Sequence, residues 1–399
     1  MVLKPFRQEL WIGRIGLKRL LDELDLAAGE IRFVGGFVRD SLLGIPNGDI
    51  DCATRLKPEE VSERIKKAGF KAVPIGMAHG TVLAVLPADQ VEITTLRRDV
   101  ATDGRRATVA YTEDWKADAA RRDFTINALS VDPVTNEVFD YFGGLADLEA
   151  GRVRFIGDPL TRIAEDHLRI LRFFRFHARF GRGAPDAPAL AACTARANDL
   201  MALSRERIAD ELLKIMGLPD PSDTVEIMIE RQIFRPVLPE VDGSATERLR
   251  ALIQTEKAAG IAPDPLRRLA ALLRPDPAVQ VAVATRLKLS GAARKRLGAV
   301  VGPAEPGEAH ETAYRLGRDV AIDRLLLAGH PDAAREVAGW EIPRLPLSGG
   351  ALVQKGLREG PIVAATLQAI EAQWIAEGFP DAERVEQIAD EKVSSASPG

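Results

Sequence analysis

The sequence predicts an α+β protein, in which a small mixed β-sheet with helices is followed by a long all-helical region. In the first 150 residues, short β-branched runs alternate with segments of helical spacing. After residue 158 almost every segment has apolar residues at helical spacing, and strand patterns nearly disappear. A chain of 399 residues is too long for one compact core, so we expect two to four domains or subdomains.

The first predicted elements surround a pair of glycines. Residues 10–28 have the apolar spacing of a helix. The segment IRFVGG then predicts a short strand that ends at two glycines, and GFVRDSLLG predicts a helix that ends at Gly44. The following PNGDIDCAT is typical of a turn that leads into a strand. The sequence therefore predicts strand, helix, turn and strand in close succession.

The remainder of the first region predicts one more helix and several strands. PEEVSERIKKAGF has Pro58 at its start and Gly69 at its end, which is typical of a helix. Residues 97–112 contain four arginines and no apolar period, so we expect a mobile loop there. Strands are predicted for TVLAVL, for QVEITTL and, as a strand–turn–strand, for 129–142.

The second region predicts helices throughout. Segments rich in proline and glycine at 217–223 and 301–308 mark weak boundaries, and the terminal SSASPG is typical of disorder. The helical segments are 159–180, 188–200, 204–217, 222–231, 244–257, 264–273 and 277–299.

Composition indicates an ordinary globular protein, with 46% hydrophobic and 28% charged residues. The net charge of −4 means that any RNA contact must use local basic patches. Cys52 and Cys193 are far apart and form no CxxC pair, which argues against zinc and against a disulfide framework. The sequence shows neither a signal peptide nor a long apolar run, so we expect a cytoplasmic protein without a membrane partner.

The sharpest local feature is Asp49-Ile50-Asp51. On a strand, alternate side chains point to the same face, which would bring both carboxylates together. Two such charges raise each other's pKa unless a cation intervenes, and Mg²⁺ is typically held by one or two carboxylates plus substrate phosphates. Glu92, on a predicted neighbouring strand, could supply a third carboxylate. By itself this pattern is weak evidence, because aspartate pairs are common on protein surfaces.

The surrounding residues strengthen the case for a phosphate site. Gly35 and Gly36 lie between a predicted strand and a predicted helix, where backbone N–H groups attract phosphate. Arg39 follows one helical turn after Gly36 and could reach the same phosphates. Asp49 comes thirteen residues after Gly36. A phosphate-binding turn followed by a metal-binding pair is what nucleotidyl transfer requires.

Four blocks in order resemble the class II tRNA nucleotidyltransferases and bacterial poly(A) polymerases, within the polymerase-β-like superfamily. VGGFVRDSLLGIPNGDIDCAT matches their first signature, and RRDFTINAL is similar to their second. AEDHLRILRFFRFHARF resembles their nucleotide-selecting motif, and SRERIADELLKIM resembles the helix that follows it. A weaker likeness, at 346–375, is to the tail of CCA-adding enzymes.

This resemblance implies a head, neck, body and tail. The corresponding divisions are a nucleotidyltransferase head at 1–150, a neck at 151–220 with the nucleotide-selecting motif, an RNA-binding body at 221–305, a tail at 306–390 and a disordered end at 391–399.

The resemblance also implies a role for each motif residue. Catalytic metals would be bound by Asp49 and Asp51, with Glu92 at the family's third acidic position. The remaining residues would bind the nucleotide: Gly35, Gly36 and Arg39 the triphosphate, Arg122 and Asp123 the ribose and phosphates, Asp166 and Arg169 the base, and Arg172 and Arg175 the nucleotide more generally.

Asp166 and Arg169 can select bases for a physical reason. They lie three residues apart on a predicted helix, so they share a face. An ionised Asp only accepts hydrogen bonds and an Arg only donates them. Cytosine and adenine offer an amino donor beside a ring-nitrogen acceptor, whereas guanine and uracil offer the reverse order. Glu165, four residues before Arg169, could hold its guanidinium by an ion pair.

The same segment is strongly basic. Six arginines in 162–182 accompany only two acids, Glu165 and Asp166, and this excess favours an anionic partner such as triphosphate or RNA. A further basic cluster in 286–296 could grip the tRNA backbone, although a solvated helix end explains it nearly as well. Its members are Arg286, Lys288, Arg294, Lys295 and Arg296.

The sequence thus predicts a Mg²⁺-dependent enzyme that adds CCA to the 3′ end of tRNA from CTP and ATP without a nucleic-acid template. A poly(A) polymerase, or an enzyme that adds only CC or only A, would share the same motifs. The acidic total and the tail likeness favour CCA addition over poly(A) synthesis. The resemblance implies that the loop at 97–112 switches the enzyme from C to A, and its full length here favours complete CCA addition. A catalytically silent RNA-binding protein and a small-molecule nucleotidyltransferase are the remaining alternatives.

Overall fold

The computed structural model describes residues 2–46, 48–76, 80–103 and 106–396. The chain forms two compact units, Met1–Val241 and Asp242–Gly399. The finer division into head, neck, body and tail stays a prediction. No helix among the described residues is both long and apolar enough to cross a bilayer.

The predicted α+β class is confirmed. The described strands are β1 (Ile31–Val34), β2 (Ile50–Thr54), β3 (Lys71–Gly76), β4 (Thr81–Val85), β5 (Gln90–Thr95), β6 (Arg97–Asp103), β7 (Arg106–Tyr111), β8 (Ser130–Val131) and β9 (Val138–Phe139). Seven of them form one sheet in the order β3-β4-β5-β2-β1-β8-β9. In this sheet β2 and β5 pair in parallel, and the other described neighbours pair antiparallel.

The helices of the sheet-containing part are α1 (Leu17–Glu23), α2 (Gly35–Leu43), α3 (Pro58–Lys67), α4 (Trp115–Ala120) and α5 (Gly144–Ala150). The ends of α2 and the start of α3 are as the sequence predicts, since Gly44 follows α2 with φ +68° and Pro58 opens α3. The helix expected over 10–28 is shorter, because Gly16 adopts φ +87° immediately before α1 and interrupts it.

The loop predicted over 97–112 is wrong. β6 and β7 pair antiparallel with each other and form a separate two-stranded sheet. Pairing of this kind depends on backbone hydrogen bonds to the partner strand, so it needs no apolar period in the sequence.

The helices that follow are α6 (Pro159–Glu165), α7 (Arg169–Phe180), α8 (Ala187–Ala195), α9 (Arg205–Met216), α10 (Ser222–Glu230), α11 (Ala245–Ala259), α12 (Pro265–Leu272), α13 (Pro277–Arg286), α14 (Gly291–Ala299), α15 (Ala309–Leu316), α16 (Arg318–Leu327), α17 (Pro331–Gly339), α18 (Gly349–Gln354), α19 (Pro361–Ala376) and α20 (Ala382–Ala396). Asp-Pro pairs start α6, α12 and α13: the carboxylates of Asp158, Asp264 and Asp276 accept backbone N–H bonds, and the proline takes the first helical position.

An aromatic core holds α7 against the 121–129 segment of the first unit. The ring of Phe124 lies 5.3 Å from that of Phe176 and 6.4 Å from that of Phe173, both on α7. These rings are buried, and Phe155 also packs against Phe124, at 4.8 Å. This packing brings the second and third sequence blocks together.

The second unit contains a buried ionic network. Arg267 and Arg268 on α12 donate to Glu256 on α11 at 2.8 and 2.9 Å, and all three side chains are at most 3% exposed. Asp323 on α16 accepts from Arg267 at 3.3 Å and from Arg296 at 2.7 Å. Arg296, predicted as part of a basic cluster that could grip RNA, is therefore tied to this network.

Candidate active site

Asp51 lies on β2, near the middle of the larger sheet. In the parallel register Asp51 is opposite Glu92 on β5. Asp49 precedes the first residue of β2 by one position and is exposed, as is Glu92. The antiparallel register of β1 with β2 brings the end of β1, and hence the start of α2, beside Asp51.

Gly35 connects β1 to α2 at this point. Its φ of +66° is a conformation that favours glycine. A Cβ atom at Gly35 would lie 3.1 Å from Nη1 of Arg122 and 3.9 Å from Oδ2 of Asp51. At Gly36 a Cβ would lie 3.6 Å from Nη2 of Arg39. The glycine turn therefore lies against both the carboxylate of Asp51 and the guanidinium groups of Arg122 and Arg39.

One cavity of about 490 Å³ unites most of the predicted site. Of the residues predicted to act in catalysis or nucleotide binding, all except Asp49 and Glu92 line it. Its described lining residues are Gly35, Gly36, Arg39, Asp51, Arg121, Arg122, Asp123, Asn127, Asp166, Leu168, Arg169, Arg172, Arg175, Phe176 and Arg207. A cavity of this size is typical of a small-molecule site.

The carboxyl group of Asp51 has a strongly shifted pKa. Burial, and then the charge of Glu92, raise the pKa of Asp51 to about 6. The charge of Asp49 adds to this increase, whereas Arg122 and Arg39 oppose it. Like charges thus converge on Asp51, and a bound cation would relieve their repulsion.

The donor set fits a metal that also binds substrate. Among the described residues no group of three or more His, Cys, Asp or Glu side chains could hold a metal ion by itself. Asp51, with Asp49 close by in the chain, supplies hard oxygen ligands, which suits a cation such as Mg²⁺ that completes its coordination with substrate phosphates and water.

Three arginines of the cavity, Arg39, Arg172 and Arg175, are held in place by hydrogen bonds to carboxylates. Arg39 is buried, donates through Nε to Asp40 at 2.8 Å and also donates to Asn127, and burial lowers its pKa. Nε of Arg172 donates to Asp123 at 2.7 Å. Although burial disfavours the charged form of Asp123, its ion pair with Arg172 holds its pKa below the usual range. Nε of Arg175 donates to Glu211 on α9, also at 2.7 Å.

These contacts correct the argument from excess positive charge in 162–182. The segment's own acids are few, but carboxylates from other elements pair with its arginines. Asp123 pairs with Arg172, Glu211 pairs with Arg175, and Asp40 pairs with Arg179. An anionic ligand would therefore bind guanidinium groups that are already oriented, since each guanidinium has five N–H donors and a carboxylate uses only some of them.

The predicted common face of Asp166 and Arg169 on one helix is wrong. The helix expected over 159–180 breaks: α6 ends at Glu165, Asp166 is extended with φ −154° and ψ 107°, and α7 begins at Arg169. Arg169 donates to Glu165, as predicted, and to the backbone oxygen of Arg162 at 2.9 Å. Both Asp166 and Arg169 still line the cavity, but the turn between two helices positions them.

Sequence reasoning missed three polar lining residues. Asn127 accepts from Arg39 and donates to Asp123 at 3.0 Å, so it links two motifs. Arg121 donates to Asp118 at 2.8 Å, and Arg207 on α9 pairs with Asp166 at 2.7 Å. All three lie within the sequence blocks noted above, and this location is the feature of the sequence that could have identified them as site residues.

Two cysteines are buried in the first unit and neither is in a disulfide. Cys52 follows Asp51 on β2, and burial together with the Asp51 charge raises the pKa of its thiol. Burial likewise raises the pKa of Cys193 on α8. Neither thiol is suited to nucleophilic chemistry.

Two family profiles match the chain. Residues 31–154 match the "Poly A polymerase head domain", and residues 186–244 match the "Probable RNA and SrmB- binding site of polymerase A". The chain is also 34% identical, over 383 residues, to the mitochondrial CCA tRNA nucleotidyltransferase 1 of Mus musculus, and the match covers 91% of this chain and 87% of the relative.

Solved structures share the fold. The CCA-adding enzyme of Bacillus stearothermophilus, in complex with CTP, superposes with a TM-score of 0.73 at 24% identity, covering 96% of this chain and 99% of the other. The CCA-adding enzyme of Thermotoga maritima, complexed with tRNA, superposes with a TM-score of 0.69 at 23% identity, covering all of both chains, 100% each.

Proposed function

Because this chain belongs to the family of CCA-adding tRNA nucleotidyltransferases, it is an enzyme that adds CCA to the 3′ end of tRNA from CTP and ATP without a template, and we propose that the 490 Å³ cavity is its active site. The observation that carries this proposal is the meeting of Asp51, the Gly35 turn and the Asp166–Arg169 turn in one cavity. Each of these features serves one requirement of nucleotidyl transfer: metal, triphosphate and base.

Membership of the family implies dependence on a divalent metal, and we propose Mg²⁺, held by Asp49 and Asp51. When bound, the metal would lower the pKa of the attacking 3′-hydroxyl and stabilise the pyrophosphate that leaves. The raised pKa of Asp51, caused by burial and by Glu92, supports this assignment because a cation offsets the converging negative charge. Glu92 is proposed to act through its charge on Asp51.

The chain's own groups would bind and orient the nucleotide. The backbone N–H groups at Gly35 and Gly36, together with Arg39, are proposed to hold the triphosphate. Arg172 and Arg175 are proposed to contact the nucleotide with the donors that their carboxylate partners leave open.

Arg122 and Asp123 are proposed to act on the ribose side in different ways. Arg122 faces the cavity beside Gly35 and could donate to the ribose or the phosphates. The carboxylate of Asp123 already accepts from the N–H of Phe124, from Asn127 and from Arg172. We therefore propose that Asp123 works by holding Asn127 and Arg172 in place.

Base selection would come from Asp166 and Arg169. A carboxylate that accepts and a guanidinium that donates suit the amino group and ring nitrogen of cytosine and adenine. Guanine and uracil would set a carbonyl oxygen against the carboxylate, and such an unpaired buried polar contact costs about 1–3 kcal/mol or more.

The test uses purified protein with Mg²⁺, tRNA that lacks its 3′ end and each nucleoside triphosphate in turn. We expect addition of C, C and A, and no addition to a generic RNA. Asp51→Ala should abolish incorporation while the circular-dichroism spectrum stays unchanged. Addition of A alone to a generic RNA would indicate a poly(A) polymerase, and unchanged incorporation by Asp51→Ala would refute the metal assignment.

We also propose a cytoplasmic location for the protein. The similar mouse protein is mitochondrial. Fractionation of cells that express the tagged chain would test this, since recovery with an organelle would contradict the proposal.

A further inference from the structure

We propose that Arg207 is a positioning residue for base selection: it holds the carboxylate of Asp166 toward the nucleotide and thereby sets the preference for C and A over U and G. This inference rests on the proposed function of the cavity. Arg207 lies on α9, 41 residues beyond Asp166, and its Nη2 donates to Oδ2 of Asp166 at 2.7 Å.

The backbone around Asp166 leaves its side chain dependent on this contact. Asp166 is extended, between the end of α6 and the start of α7, so no helix fixes its direction. Its Oδ1 accepts from the backbone N–H of Leu168 at 3.1 Å, which is a local contact within the turn. The contact with Arg207 at Oδ2 ties Asp166 to another element, α9.

The same pair separates two cavities. Asp166 and Arg207 both line the nucleotide cavity, and both also line a second cavity of about 390 Å³. The second cavity is otherwise formed by residues such as His167, Leu203 and Ser204. With side chains 33% and 29% exposed, Asp166 and Arg207 are open to both spaces. Without Arg207, the carboxylate would be able to turn from the nucleotide toward the second cavity.

The two bonds on Asp166 also dictate what the carboxylate can recognise. Each oxygen accepts one N–H, from Leu168 or from Arg207, and each keeps capacity for another donor. A fixed carboxylate of this kind rewards the amino group of cytosine or adenine and opposes the carbonyl of uracil or guanine. If Asp166 were no longer held in place, binding of cytosine and adenine would weaken and exclusion of uracil and guanine would become less strict. The ratio of kcat/KM between these two classes of base would therefore change.

The decisive variant is Arg207→Gln, assayed as kcat/KM for each of the four nucleoside triphosphates on tRNA that lacks its 3′ end. We expect kcat/KM for CTP and ATP to fall about tenfold or more, the size of one lost hydrogen bond between charged groups, while UTP and GTP do not fall. An equal loss for all four nucleotides, which a merely structural role would produce, would overturn the inference. So would an unchanged ratio.

Two further variants test whether Arg207 acts through Asp166. Arg207→Lys keeps the charge and one donor, so it should retain part of the discrimination; it also supplies the test if Arg207→Gln fails to fold. In an Asp166→Ala background, Arg207→Gln should change the base ratio no further. An additional change in that background would contradict a role through Asp166.

The matched control is Lys214→Gln, which removes a cation from the same helix. Lys214 is exposed and pairs with Asp210 at 2.6 Å, away from the cavity lining. It should leave the four kcat/KM values and their ratio unchanged. If the wild-type protein does not extend tRNA at all, the proposed function fails; if it discriminates and Arg207→Gln discriminates equally well, only the present inference fails.

Discussion

Asp51 combines two opposing demands in one side chain. Its position on β2 beside Glu92 suits the metal-binding role proposed for it, yet burial and the neighbouring charge raise its pKa to about 6. In the unfolded chain the same carboxyl would ionise near the ordinary value of 3.8. The folded state therefore binds the proton of Asp51 more tightly than the unfolded state does. As the pH rises from about 4 to about 6, loss of this proton lowers the free energy of unfolding.

We expect Asp51→Asn to stabilise the metal-free protein while abolishing nucleotide addition. The penalty for the ionised carboxyl is absent below about pH 4, grows as the pH rises and is complete above about pH 6, where it reaches at most about 2–3 kcal/mol. Urea unfolding of the variant and the wild type at about pH 4 and about pH 7.5 measures this. Equal free energies of unfolding at the higher pH would contradict it, and Asp210→Asn, which removes an exposed carboxylate from the same unit, is the control.

The same shift predicts how metal binding depends on pH. Protons and metal compete for Asp51, so the affinity for Mg²⁺ should fall as the pH drops through about 6. Incorporation at limiting Mg²⁺, followed from about pH 5 to about pH 8, should show this acid limb, and saturating Mg²⁺ should move it to lower pH. If the pH at which incorporation declines does not depend on the Mg²⁺ concentration, the group that titrates is not Asp51.

At the scale of the elements, the backbone conformation at the start of α2 requires a glycine at its first residue. Gly35 has φ +66°, and a Cβ there would lie 3.1 Å from Arg122, whereas a Cβ at Gly36 would make an ordinary 3.6 Å contact with Arg39. Both glycines open the same helix, so they form a matched pair of substitution sites.

We expect Gly35→Ala to destabilise the protein by about 1–2 kcal/mol and to raise the KM for CTP and ATP, because an alanine strains the backbone and displaces Arg122, which we propose to contact the ribose or the phosphates. Gly36→Ala should have a clearly smaller effect on stability. Thermal unfolding and steady-state kinetics of both variants measure these effects. A larger loss of stability for Gly36→Ala would show that the backbone conformation at Gly35 is not the constraint.

The sequence predicts those elements whose signals are local. The glycines around α2 and the proline that opens α3 each act within a few residues, and the structure agrees with them. The break at Asp166 could not be predicted this way, since the apolar spacing continues through it and Arg207 holds it from 41 residues away. The strands β6 and β7 were not predicted for the same reason, because each is stabilised by backbone pairing with the other rather than by a local pattern.

At the scale of the molecule, the cavity is an assembly of distant segments. Asp40, Asp123 and Glu211 orient arginines of α7 from three different parts of the chain. The sequence analysis counted only the acids beside these arginines in the chain, because pairing across the fold leaves no local pattern. Preorientation of this kind lets a triphosphate bind without first ordering long side chains.

The second unit offers a test of stability that is separate from the active site. Glu256 is 2% exposed and accepts from both Arg267 and Arg268. Glu256→Ala should destabilise this unit by about 3–5 kcal/mol, because it removes the carboxylate that two buried guanidinium groups share. Calorimetry should show the loss. Glu311→Ala, which removes an exposed partner of Arg315, should cost less than about 1 kcal/mol, and an equal cost would contradict the argument.

The buried state of Cys52 and Cys193 has a practical consequence. Thiol-reactive dyes attack the thiolate, and both side chains are shielded from solvent and held in the thiol form. A single new cysteine on the surface of each unit could therefore carry a fluorophore without removal of either native residue. Energy transfer between such a pair of dyes would report whether the distance between the two labelled positions changes as each successive nucleotide is added.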